Sequence, residues 1–246
     1  VVKGVTSPLT RGTGSLYRQN MEHLARVLAD LGGMVYQPGR VSSVAIGIGT
    51  KKLRLGERPT ELRMKQAAAA VGQCRMVHIY DKLFAEYNRT VAQILLTGED
   101  VESPVRSEHL HNTFEALLEL GVIPVVNEND SVSSAEIETG QCKVLGDNDT
   151  LSAIVARLCG AGLLVLFSDT DGLYDAHPRP HPDARLIHQL EAITPELRAM
   201  AGGAGTWRGT GGLATNPHAA QPRLEAGVVT VIAHGAAEGC LHQLLW

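Results

Sequence analysis

The feature that most constrains this chain is a unit that occurs twice: a helix-patterned run, a glycine, a short wholly apolar run, then a polar cluster. Its first copy is SEHLHNTFEALLELGVIPVVNEND, Ser107 to Asp130. Leu110, Phe114, Leu117 and Leu118 recur at helical spacing, and Gly121 supplies a helix stop. VIPVV follows, apolar at every position, as a strand covered on both faces must be. The second copy is GDNDTLSAIVARLCGAGLLVLFSDTDGLY, Gly146 to Tyr174. Its Asp/Asn-rich start suits a helix N-terminus. Leu151, Ile154, Val155 and Leu158 form the stripe, Gly160 ends the helix, and LLVLF is the next strand. VVTVIAHG near the C-terminus and VVK at the start read as further strands. TPELRAM reads as a further helix, with Thr194 as cap, Pro195 at its first position and Glu196 in its first turn.

Helices alternating with buried strands predict an α/β fold with an open, mainly parallel sheet covered on both faces. The 246 residues contain no internal repeat or low-complexity linker, so we read 1–246 as a single domain. One segment resists the pattern. Between a helix over Met21–Leu31 and the pair Ser42-Ser43, the run MVYQPGR is broken by Pro38-Gly39, which predicts at best an edge strand or a very short one.

Ligands of such sheets bind beyond the carboxyl ends of the strands. Polar residues gather at those places here: Lys3, Ser42-Ser43, Asn127 to Asp130, and Ser168-Asp169. Composition narrows what the crevice can take. The net charge of −4 comes without a long run of either sign, which argues against nucleic-acid or membrane-surface binding. AGLLVLF, the longest apolar stretch, is far below the ~18 residues needed to span a bilayer. No basic segment followed by an apolar one opens the chain, and the four cysteines show neither CxxC spacing nor a neighbouring His cluster. The expectation is a cytoplasmic protein with free thiols.

Two acidic and amide clusters carry the chemistry. Asp147-Asn148-Asp149-Thr150 opens a helix, where a carboxylate also serves simply as a cap, and Asn127-Glu128-Asn129-Asp130 closes a buried strand. Together on one rim they suit an ammonium-bearing substrate, a lysine to be oriented, or Mg²⁺ held through water. Lys3, at the end of a first strand, suits a phosphate as a point charge. Neither a Walker A sequence nor a GxGxxG opening a helix is present. GTGGLATNPHAA, Gly209 to Ala220, has the glycine and threonine content of a phosphate loop without the usual following lysine.

VVK…TS, AAAAVGQCRM, VAQILLT, GVIPVVNEND, GDNDTLSA, SDTDGLYDAHPR and GTGGLAT occur in the order found in glutamate 5-kinases, and the chain resembles that family over nearly its whole length. SDTDGLYDAHPR is shared widely in the amino acid kinase superfamily, whereas NEND, GDNDTLSA and GTGG together are narrower. The resemblance implies a three-layer αβα sandwich and transfer of the ATP γ-phosphoryl group to the side-chain carboxylate of L-glutamate, in proline synthesis. It implies Mg²⁺ with ATP as co-substrate, proline as a feedback inhibitor and a homo-oligomer. Lys3 then matches the lysine that contacts the phosphates, and Asp149 the aspartate that organises catalytic lysines. Ser43, Asp130 and Asn148 match glutamate-binding positions. Ser168 and Asp169 match the nucleotide-binding pair, and Thr210, Gly211, Gly212, Leu213, Ala214, Thr215 and Asn216 the nucleotide loop.

Four departures from the family pattern bear on rate. Lys3-Gly4-Val5-Thr6 replaces Lys-Leu-Gly-Thr, and Val44 replaces a glycine, so that a positive φ there would be costly. The strand before Val44 is interrupted, and Asn216 stands where the loop has lysine. Asn216 and Pro217 still suit a helix start, but Pro222 cannot continue one. Loss of one transition-state contact costs ~2.7–4 kcal/mol. The alternative reading is therefore a catalytically impaired homologue that senses glutamate, proline or nucleotide. The expectation is a chain without the RNA-modification-enzyme-like domain that many bacterial members of the family carry.

Overall fold

The structure is a computed structural model, and it describes residues 1–4, 15–34, 36–133, 148–168, 171–175, 183–189, 227–235 and 240–245. Six strands form one parallel sheet: β1 (Val2–Lys3), β2 (Arg40–Val41), β3 (Val91–Leu96), β4 (Ile123–Glu128), β5 (Leu163–Ser168) and, after a small ladder, β8 (Val229–His234). Their spatial order is β3-β4-β2-β1-β5-β8. The ladder pairs β6 (Leu173–Tyr174) antiparallel with β7 (Leu186–Ile187).

Alternation along the strands divides the core into two layers. Val2, Val125 and Val165 face α1 (Ser15–Gly33) and α3 (Leu62–Ala85), whose Leu24, Leu28, Met76, Tyr80 and Phe84 are buried against them. Val41, Ile94 and Val126 face the other way, toward Phe114 of α5 (Pro104–Glu119) and Leu151, Ile154, Val155 and Leu158 of α6 (Asn148–Leu158). Helices on both faces of a parallel sheet give the αβα sandwich expected. The stripe expected on α6 is buried at all four positions. Gly121 and Gly160 take positive φ just past their helices, as the sequence required.

The interrupted run before Ser42 yields a strand of only two residues, but β2 is not an edge. It lies between β4 and β1, near the middle of the sheet. Its brevity is confined to the ladder, because Val2 N donates to Gly39 O and Ser42 N to Val126 O, each at 2.9 Å, extending the contact beyond it. VAQILLT, quoted above only for its resemblance, forms the edge strand β3.

Two further helices shape the approach to the site. The short α2 (Ala45–Lys52) crosses α3 so closely that a Cβ on Gly49 would lie 1.7 Å from Ala68 O, and one on Gly72 1.8 Å from Ala45 O. Only glycine fits at such a backbone contact. α4 (Gly98–Glu102) is opened by Thr97 and Asp100, which cap each other's backbone reciprocally. The final α7 (Cys240–Leu245) places Leu241 in the α1 and α3 layer. No helix among the described residues is long and apolar enough to cross a membrane.

Candidate active site

Strand order reverses around β1, so its carboxyl end is where a crevice forms in a sheet of this kind. Lys3 is the last residue of β1 and is buried. Its register partners are Val41 and Leu166, which directs its side chain to the α6 layer. There Lys3 Nζ meets Asp149 Oδ1 at 2.8 Å, both side chains being 6% exposed. Asp149 belongs to the first turn of α6, where unpaired N–H groups favour negative charge. Two neutral residues, Thr150 and Ser152, complete the buried turn, with Ser152 Oγ donating to Asn148 O.

Both ions of this pair are taken out of water, which costs several kcal/mol for each. Their attraction and the helix terminus offset that cost only while both are present. The arrangement therefore fixes the ammonium in one position at the end of β1.

The other predicted residues distribute around this pair. Asn148 is half-buried at the start of α6, and Ser43 and Asp130 are half-buried after β2 and β4, each engaged in polar contacts. Ser168 ends β5, is buried, and lies in register with His234 at the end of β8. Four of the sheet's six strands, β1, β4, β5 and β8, thus end in polar side chains on one rim. Asp169 and the whole loop Thr210 to Asn216 lie outside the described residues, as do Asp147, the helix expected at TPELRAM and that expected at Asn216.

Val44 requires no strained backbone. Its φ of −108° and ψ of 4° are accessible to a β-branched residue, and it is buried as the residue before α2. The penalty that a positive φ would have imposed therefore does not arise.

Three buried groups on the α3 side of the rim each leave one polar atom without a partner among the described residues, and two of them were not legible as site residues. Gln73 of α3 donates through Nε2 to Glu128 O at 3.3 Å, while its Oε1 has no partner. Asn127 is 2% exposed, and its Nδ2 has no hydrogen-bond partner. Arg40 is buried, and its Nη1 likewise lacks one. An unsatisfied buried donor or acceptor costs ~1–3 kcal/mol, so three near one strand rim mark a surface suited to a polar ligand. The NEND cluster was a signal for Asn127; Gln73 falls inside an apolar helix pattern and Arg40 inside the disrupted run, so neither stood out.

Of the thiols described, Cys74 is exposed and Cys159 half-buried, and both are free. Burial pushes the Cys159 thiol up to about 11, which makes it a poor nucleophile at neutral pH.

The amino acid kinase family profile matches residues 7–234, from just past Lys3 to the end of β8. A glutamate 5-kinase of Clostridium perfringens is 46% identical over 235 residues, covering 96% of this chain and 87% of its own. This chain belongs to the glutamate 5-kinase branch of the amino acid kinase family. Other members of that branch agree with the assignment. The Clostridium acetobutylicum enzyme is 48% identical over all of this chain and 90% of its own, and that of Listeria innocua 45% identical over 96% and 84%. A solved structure of isopentenyl phosphate kinase has the same fold, with a TM-score of 0.60 at 17% identity, covering 99% of this chain and 94% of the other.

Proposed function

We propose that this protein transfers the γ-phosphoryl group of ATP to the side-chain carboxylate of L-glutamate, the first step of proline synthesis. The observation that carries the reading is the buried Lys3–Asp149 pair at the carboxyl end of β1, on the same rim of the sheet as the acidic and amide groups after β4. Kinship with glutamate 5-kinases supports the choice of acceptor.

A carboxylate is nucleophilic at neutral pH and needs no general base. The difficulty is electrostatic, because one anion must approach another. Phosphoryl transfer in this setting depends on positioning and on neutralising charge at the moving group. Lys3 supplies a point charge directed at the phosphates, and Asp149 holds it there. Ser43, Asp130 and Asn148 bind glutamate, with Asp130 suited to its ammonium group. Ser168, Asp169 and Thr210 to Asn216 take the nucleotide.

Magnesium enters as MgATP, its charge spread over the phosphate oxygens. Among the described residues no three His, Cys, Asp or Glu side chains are gathered to hold an ion. Asn216, in place of a lysine, lowers the rate rather than changing the acceptor. The test is ADP release with MgATP and a panel of acceptors. L-glutamate should support turnover, whereas L-aspartate, N-acetyl-L-glutamate and isopentenyl phosphate should not; turnover with another acceptor alone would overturn the reading.

A further inference from the structure

Arg40 is a charged residue in the middle of a sheet, and its surroundings are specific. It lies on β2 in register with Val2 of β1, so its side chain enters the α3 layer rather than the Lys3 layer. Its Nε donates to Tyr80 Oη of α3 at 2.8 Å. The guanidinium then extends along the sheet toward the carboxyl ends and comes to rest against Gly4, the residue after Lys3. A Cβ built on Gly4 would lie 2.3 Å from Nη2, 2.4 Å from Nη1 and 2.7 Å from Cζ. Glycine at position 4 is therefore what admits the guanidinium. Among the described residues no carboxylate pairs with it, and Nη1 has no partner.

A guanidinium keeps its charge in a protein interior. A buried, unpaired positive charge is costly to maintain in the free protein and becomes favourable when an anion arrives nearby. We propose that Arg40 is a positioning residue for the phosphoryl transfer described above. Seated on Gly4 and fixed by Tyr80, it braces the backbone that carries Lys3 and adds a second buried positive charge beneath the crevice. That charge favours binding of the anionic acceptor. The chemistry served is an anionic oxygen at the end of β1, and the kinetic part of the proposal rests on the glutamate reading.

The kinetic test compares Arg40→Met with Arg40→Lys. Removing the charge should raise the KM for L-glutamate about tenfold, the scale of a lost charge-assisted contact, while restoring it with lysine should recover most of that loss. A merely structural side chain would move the thermal midpoint and leave KM alone. Equal KM changes in the two variants, or a change below twofold in Arg40→Met, would overturn the proposal.

A second measurement needs no substrate and stands if the methionine variant fails to fold. Gly4→Ala should lower the midpoint by about 3 °C or more, because its methyl meets an anchored guanidinium. In an Arg40→Val background, where that space is open, the drop should be less than half as large. The same drop in both backgrounds would show that the guanidinium is not seated on Gly4. Coupling without glutamate turnover would instead refute the acceptor and leave the brace intact.

Discussion

Lys3 and Arg40 are both buried cations, one residue apart in register on the neighbouring strands β1 and β2, and they live in opposite surroundings. Lys3 faces the α6 layer and is neutralised by Asp149 at 2.8 Å. Arg40 faces the α3 layer, where it meets the hydroxyl and ring of Tyr80 and, among the described residues, no carboxylate. The difference separates two tasks that a site for anionic substrates must perform. A paired lysine is held at a defined point, with its charge largely compensated until a phosphate displaces part of that compensation. An unpaired arginine leaves a standing positive field that the substrate completes.

The sharpest way to break this contrast is to make Lys3 resemble Arg40 by removing its partner. Asp149→Ala leaves an uncompensated buried ammonium, which should cost about 3–5 kcal/mol of stability by thermal or denaturant unfolding. Its kcat should fall by about 10² to 10³ because the lysine is no longer positioned. A variant with near-parental kcat would show that the pair is only structural.

Restoring a positive charge at position 216 tests whether missing charge limits turnover. Asn216→Lys should raise kcat, by up to about 10²-fold if that position contacts the transition state. An unchanged or lower kcat would show that the missing charge is not the limiting defect.

A smaller effect is expected where the contrast depends on backbone rather than charge. Gly72 lets α3 touch the start of α2, immediately after Ser42-Ser43. Gly72→Ala forces a methyl onto Ala45 O and should cost about 1–3 kcal/mol in unfolding measurements, with a raised KM for glutamate through displacement of Ser43. Stability lost without any change in KM would detach that helix contact from the site.

The smallest effect lies away from both cations, at the α4 cap. Burial alone would raise the Asp100 carboxyl, but hydrogen bonds from the Thr97 hydroxyl and backbone, together with Arg106, outweigh it and hold its pKa below the ordinary 3.8. A carboxyl depressed on folding contributes stability above its unfolded value and loses it as pH falls through the folded one. Asp100→Asn should therefore be less stable by about 0.5–1 kcal/mol at pH 5 to 7. The gap should narrow below pH 3.8. A gap that widens on acidification would contradict the cap's ionic character.

How far all this was legible in the sequence varies with the residue. The helix and strand units were readable because β4, β5 and α6 are buried over most of their length, so periodicity and burial coincide. Lys3 and Asp149 were each readable as candidates, but their contact was not, since they stand 146 positions apart and are brought together only by the sheet register. β2 was readable as a very short strand because Pro38-Gly39 interrupts its pattern, but its central place between β4 and β1 was not. Arg40 could not be found at all. Its role depends on an absent side chain at Gly4 and a hydroxyl 40 positions away, and neither leaves a local pattern.

The most direct test of the account is formation of glutamyl hydroxamate when MgATP, L-glutamate and hydroxylamine are incubated with the parent protein and with Lys3→Met. The account predicts hydroxamate in step with ADP for the parent, only when glutamate is present, and a rate at least about 10²-fold lower for Lys3→Met. No glutamate-dependent hydroxamate from the folded parent, or equal rates from the two proteins, would contradict it.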